Sequence, residues 1–274
     1  MGVNNSLWRR SYYTPMTKSF NFLTIALFTA CLVTRAFADT DAIIAKARAY
    51  LGPDATLDAI TSIRYVGTLA SEETIKDKDG RQITRPFKGT IEIIFQKPYS
   101  QRVTLVSYKG TETTALDDFE AWRHLQDATD AKRWSLTLLN KDQVRSQRAN
   151  TWENIAFYRG IERRGGHVED LGSHVIDGHT CEKLAFVHEP GLTFNRYFDA
   201  ATGELILTET ENGNLTREQG ELMVNGVRFP KSLINITKDP VTGRESTLVI
   251  TLEKITLNEV FPERLFAVPM YTVK

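Results

Sequence analysis

A two-residue period restricts this chain most. From Ile63 onward, strand-length runs with every second side chain apolar are cut at short intervals by turn dipeptides. Residues 90–96 set Ile91, Ile93 and Phe95 against Thr90, Glu92 and Gln96, with Ile94 the exception. Residues 102–108 set Val103 and Leu105 against Arg102 and Thr104. Residues 247–254 put Leu248, Ile250 and Leu252 on one face, Thr247, Thr251 and Glu253 on the other, and Val249 out of step. Successive strand side chains point to opposite faces, so this pattern describes antiparallel strands with one buried face. Asp177-Gly178 marks a turn. Asn212-Gly213 and Asn225-Gly226 are hairpin signals, because both residues tolerate positive φ. Runs 180–188, 193–199, 204–210, 215–224, 228–238 and 246–257, joined by short connections, predict a meander.

Helical spacing occurs in three places. Ile43, Ile44, Ala47, Tyr50 and Leu51 predict a helix over 41–51 that stops at Gly52. A short helical turn is expected over 56–60. Trp152, Ile155, Ala156, Tyr158 and Ile161 predict a helix over 147–161, ended by Gly165-Gly166. The layout is helix, strands, helix, strands. It fits a mainly β (α+β) domain or an open barrel with helical covers better than a βαβ array.

Ahead of the first helix, Arg9, Arg10 and Lys18 precede an apolar run at 22–33 and then Ala36-Phe37-Ala38. That order is the one of a secretory signal, and the run is shorter than the roughly 20 apolar residues of a membrane-spanning helix. We read 1–38 as a signal peptide, with Met16 as an alternative start, and 39–274 as a single domain. The expected location is periplasmic, after secretion across the inner membrane. A minor alternative is an outer-membrane lipoprotein anchored through Cys31, for which the preceding Phe28-Thr29-Ala30 fits only at Ala30.

The leader holds four basic residues and no Asp or Glu. Beyond it, 30 basic residues face 34 acidic ones, a net charge of −4 without a basic cluster in sequence. That excludes nucleic acid as an expected partner, because phosphates demand grouped Lys and Arg. Cys181 is the one cysteine past the leader; with no disulfide inside the domain, burial must stabilise the fold, and Cys181 reads as a small buried strand residue. His167, His174 and His179 lie close together without a zinc-ligand spacing and read as loop histidines. No nucleophile elbow, phosphate loop, dinucleotide fingerprint or His-Glu-x-x-His is present. The sequence is therefore read as non-enzymatic, with no cofactor and no metal.

Four stretches resemble the LolA/LolB-like periplasmic lipoprotein localisation fold, the outer membrane lipoprotein-sorting proteins. They are 45–60, with Ala-Arg-Ala-Tyr-Leu-Gly and Leu-Asp-Ala-Ile; 95–103, Phe-Gln-Lys-Pro-Tyr-Ser-Gln-Arg-Val; 175–199, from Val-Ile-Asp-Gly to Tyr-Phe-Asp; and 258–269, with Val-Phe-Pro-Glu-Arg-Leu-Phe. Together they run through most of the chain past the leader, although each motif mostly reports strand and turn chemistry. The sequence departs from that pattern at Asp117-Asp118-Phe119-Glu120-Ala121-Trp122, where relatives often carry Asp-Gly ahead of the Trp, and no ligand-contacting Arg of the dedicated carriers is matched.

The resemblance implies a curved antiparallel sheet, an open half-barrel covered by two or three helices, whose apolar concave face receives acyl chains. The residues expected to line it are Ile91, Ile93, Phe95, Val103, Leu105, Phe194, Leu205, Leu207, Leu248, Ile250 and Leu252; the competing expectation for each is a place in a closed core. The functional expectation is an envelope binder or carrier of lipid or lipoprotein acyl chains, compatible with transient membrane contact. The alternative is an envelope sensor or interaction module with a protein partner. An enzyme acting on a hydrophobic small molecule is the third and least favoured reading.

Overall fold

The computed structural model describes residues 39–76, 78–239 and 242–270; the expected signal peptide over 1–38, the alternative start at Met16 and Cys31 lie outside them. Two short helices, α1 (Thr40–Leu51) and α2 (Asp54–Asp58), precede β1 (Ser62–Lys76), β2 (Gln82–Gln96), β3 (Ser100–Ser107), β4 (Gly110–Asp117), β5 (Glu120–Asp127) and β6 (Trp134–Leu138). Helix α3 (Lys141–Ile155) leads to β7 (His167–Ile176), β8 (His179–Glu189), β9 (Leu192–Asp199), β10 (Leu205–Thr210) and β11 (Leu215–Gln219). After a hairpin, β12 (Leu222–Val224) and β13 (Val227–Phe229), the chain closes with β14 (Ser232–Lys238) and β15 (Glu245–Leu257).

Thirteen of these strands form one sheet in the order β6-β5-β4-β3-β2-β1-β15-β14-β11-β10-β9-β8-β7. The pairings are antiparallel, and β6 and β7 are its two edges, so this curved sheet does not close. It is the expected α+β half-barrel. Part of its bend comes from a bulge at Glu253 of β15, the extra residue opposite Val66 and Gly67 of β1. A Cβ on Gly67 would lie 2.1 Å from the Thr251 carbonyl oxygen of β15, so the two strands approach this closely only around a glycine.

Three local expectations need correction. Helix α3 starts at Lys141 rather than 147, because Asn140 and Gln143 form a reciprocal capping box that overrides the weak apolar pattern of its first turns. It ends at Ile155, where Phe157 and Tyr158 take φ of 48° and 69°, and a 3-10 turn (Ile161–Arg164) replaces the last expected helical residues. The runs 215–224 and 228–238 are each broken, at Gly220 (φ 65°) and at Pro230, which has no N–H for the ladder. Between the breaks the β12–β13 hairpin, turning at Asn225-Gly226 with both φ positive, leaves the sheet and buries Val227 and Phe229 with Leu57, Ile63 and Phe95.

Both faces of the sheet are packed. On the concave face, the β1–β3 and β14–β15 side meets α2 and the hairpin, while Leu184, Phe186 and Phe198 meet Ile43, Ile44 and Ala47 of α1 and Trp152 of α3. On the convex face Ile94, out of step with its strand, is covered by Phe261 and Phe266, and Trp122 Nε1 donates to the Phe266 carbonyl at 2.7 Å. Burial of the Phe266 ring contributes about 1.5–3 kcal/mol. Tertiary contact thus accounts for Ile94 as an exception to the period.

Candidate ligand cavity

Sheet register builds the site rung by rung. Antiparallel pairing carries one concave rung through Tyr65, Ile93 and Val103, and another through Arg196, Thr208, Thr216 and Asn235. A third joins Glu218, Leu233 and Ile250. Between these rungs and the elements that cover them lies a cavity of about 320 Å³. Asn150, Glu153 and Asn154 of α3, then Phe157 and Tyr158, form its roof, and Phe229 of the hairpin closes one side. Tyr65 packs edge-on against both Phe95 and Phe229, at ring-centroid distances of 6.3 and 6.1 Å.

Arg48 holds the roof in place. This guanidinium is fully buried on α1, bonded to Asp54 and Asp58 of α2 at 2.6 Å each and to the Phe157 carbonyl at 3.0 Å. Bulky residues rarely adopt positive φ; the Arg48 bond and the packing of Tyr158 on Phe198, at 5.0 Å, stabilise the turn that aims Phe157 and Tyr158 inward. Arg48 announces itself in the sequence as a cation inside the apolar stripe Ile43, Ile44 and Ala47, a placement that demands buried partners.

Of the residues expected to line the concave face, Ile93, Phe95, Val103, Phe194, Leu205, Ile250 and Leu252 border this cavity. Ile91 is buried in the adjoining core, and Leu248 packs against the same core. Leu105 borders a second, open groove of about 830 Å³ farther along the sheet, beside Phe87, Leu125 and Trp134. Leu207 is a correction: a register shift between Leu205 and Leu207 turns it to the convex face, where it packs with Cys181 and Tyr197.

Sequence reasoning missed the polar wall. Arg196, Thr208, Thr210, Thr216, Glu218 and Asn235 all border the cavity. Arg196 shares a strand face with Phe194 and Phe198, the one signal that could have flagged it. Its Nη2 lies 2.5 Å from Glu153 Oε2, and His188 Nε2 lies 2.6 Å from Glu153 Oε1; these side chains are 7, 2 and 5 % exposed for Arg196, Glu153 and His188. The Arg196–Glu153 contact is close but poorly aligned, and Arg196 Nε is left buried without a hydrogen-bond partner. The guanidinium also lies 4.6 Å from the Tyr158 ring centre.

Glu218 is the other polar group of note. Burial pushes its carboxyl up to about 7, Arg196 opposing the shift and Glu204 adding to it. The side chain keeps part of its surface accessible through the cavity, and desolvation is still the largest cause of the shift. Near neutral pH the cavity therefore holds a carboxyl that titrates beside a fixed guanidinium.

The groups weighed for chemistry fall elsewhere. Cys181 is buried among Tyr197 and Leu207, and burial pushes its thiol up, away from the reactive thiolate. His167 and His174 lie in β7 and His179 opens β8, so these are strand rather than loop residues. His179 Nδ1 sits 2.8 Å from Asp199 Oδ2, and that bond, with backbone donation from Thr202, holds the Asp199 carboxyl down to about 2.

No protein-family model matches the sequence, and no curated protein matches it. Among solved structures the chain is similar to a LolA superfamily protein from Nitrosomonas europaea, at 13 % identity and a TM-score of 0.51, over 83 % of this chain and 97 % of that one. It is also similar to a DUF1329 family protein from Desulfovibrio piger, at 10 % identity and a TM-score of 0.49, over 83 % and 96 %. With thirteen strands in an unclosed curved sheet and helices over its concave side, the chain has a LolA-like fold.

Proposed function

We propose that this protein binds a lipid or the acyl chain of a lipoprotein in the cavity under α3, as a non-enzymatic carrier of the bacterial envelope, exported by its leader to the periplasm. The observation that carries the reading is the two-sided cavity: an apolar wall for a hydrocarbon chain, and a polar wall on which Arg196 Nε lacks a partner. Each methylene taken from water stabilises by roughly 0.8 kcal/mol. Small-molecule sites of roughly 300–1,000 Å³ combine apolar walls with a few orienting polar groups. At about 320 Å³ this cavity suits one chain with its head against Arg196 and Glu218. The similarity of fold to a LolA superfamily protein supports the same reading.

Native mass spectrometry of the purified chain, before and after incubation with lipid–detergent micelles, tests it. Retention or uptake of one lipid per chain is expected. A lipid-free protein that takes up nothing, yet recovers one stoichiometric envelope partner in a pulldown, would replace the carrier by the interaction module.

A further inference from the structure

Helix α3 presents Asn150, Glu153 and Asn154 to the cavity, but on its other side it borders two adjoining depressions of about 500 and 360 Å³. Six cations line them: Lys97, Arg145, Arg148, Arg159, Arg163 and Arg164. The acids lining them are Asp58 and Glu189, with His188 the further titratable group. In a chain that is net acidic past its leader, this excess is local.

Half of the cations have carboxylate partners. Arg145 meets Glu189 at 2.5 Å and Asp142 at 3.1 Å, Arg148 meets Asp118, and Arg159 meets Asp54 at 3.1 Å and Asp58 at 3.7 Å. Lys97, Arg163 and Arg164 have no ion-pair partner among the described residues, and Arg164 donates only to the Arg148 carbonyl, at 3.4 Å. Arg148 and Arg164 both lie over the Tyr99 ring, at 4.2 and 4.5 Å. Like charges have thus been drawn together at a partly desolvated place. Burial lowers the proton affinity of both Arg164 and Lys97, and Arg148 lowers that of Arg164 further. Such a cluster is completed by an anion that accepts from several forks at once, which is the geometry of phosphate.

The surroundings favour a phosphate carried by a lipid. Phe119, at the β4–β5 turn, is 71 % exposed and lies 4.0 Å from the Arg148 guanidinium; Leu192 borders the smaller depression. Cations fringed by an exposed aromatic ring match the layered chemistry of a membrane surface, phosphates outside and hydrocarbon beneath. We infer that Lys97, Arg163 and Arg164, grouped around Tyr99, bind the phosphate of an anionic phospholipid headgroup at a membrane surface, with Phe119 entering the interfacial layer. This face is separate from the cavity and does not depend on what the cavity holds.

Flotation of the full chain with phosphatidylcholine vesicles, with and without phosphatidylglycerol, tests the inference beside a Lys97→Ala/Arg163→Ala/Arg164→Ala variant and a Phe119→Ala variant. Binding to the anionic vesicles is expected to exceed binding to the neutral ones and to fall with salt. Each cation near an anionic surface is worth roughly a fivefold gain, so the triple variant loses about 100-fold. Phe119→Ala loses less, and uptake into the cavity is unchanged in both. Equal binding to the two vesicles, or a triple variant that binds anionic vesicles like the parent, overturns the inference. Inorganic phosphate that binds the parent but not the triple variant in calorimetric titration, while vesicles stay unbound, also overturns it, by assigning the site to free phosphate.

Discussion

On the side of β1–β3 and β15 the cavity meets Tyr65, Ile93, Phe95, Val103, Ile250 and Leu252; on the side of β9–β11 it meets Arg196, Thr208, Thr210, Thr216 and Glu218. Both sides belong to one antiparallel sheet and are covered by the same helix and hairpin. They differ because the first is stabilised by apolar burial, whereas the second encloses charged groups that need partners. One wall can therefore accept a chain anywhere along its length, and the other can orient a ligand.

Removing the charge that holds the polar wall is expected to have the largest effect. Glu153→Ala leaves Arg196 buried without its partner and should cost about 3–5 kcal/mol in denaturant unfolding. Glu153→Gln, which keeps the shape, should cost less. A loss below about 1 kcal/mol in the alanine variant would mean that Glu153 does not hold this wall.

The next effect is a pH dependence confined to the same wall. The Glu218 carboxyl lies near 7 in the folded protein and near 4.5 when unfolded, so the folded state holds this proton more tightly. The contribution is complete below about pH 4.5 and is lost as pH rises through about 7. Glu218→Gln should remove that slope and be more stable than the parent at pH 8 by about 3 kcal/mol. Identical pH profiles for the two proteins would show that the carboxyl is solvated.

The apolar wall is tested by Val103→Glu, which puts a charge where a chain would lie. Affinity of the folded protein for a fluorescent fatty acid should fall at least about tenfold, the worth of roughly two buried methylenes, and the melting temperature should fall too, because the new carboxylate has no partner on this wall. Unchanged affinity would move the chain to the open groove beside Leu105 and Trp134. Least of all, Thr208→Val makes the polar wall slightly more apolar at constant shape and should tighten the same probe by about twofold, a shift that equilibrium titration can read.

Much of the fold was legible because the signals are local. The period of two placed Ile93, Phe95, Val103, Ile250 and Leu252 on one face, and Asn225-Gly226 marked a hairpin. The same rule failed wherever one residue broke phase. The bulge at Leu205–Leu207 reverses Leu207, and Ile94 is apolar because Phe261 and Phe266 return to cover it from far along the chain. The start of α3 was missed because a two-residue capping box, not apolar spacing, begins it.

By itself, then, the sequence determined strand period, turns, the helix at 41–51 and the class of the fold, since backbone geometry converts a local pattern directly into a face. Tertiary structure alone decided which parts of that face are core and which are cavity, and that half of the cavity is polar. Thr208, Thr216 and Glu218 read along the chain as solvated strand residues. They come to line the cavity only because the β12–β13 hairpin leaves the sheet at Gly220 and Pro230 and α3 crosses above them, which takes part of their surface out of water. Desolvation depends on what lies across a gap in space, and no periodicity along a strand encodes it.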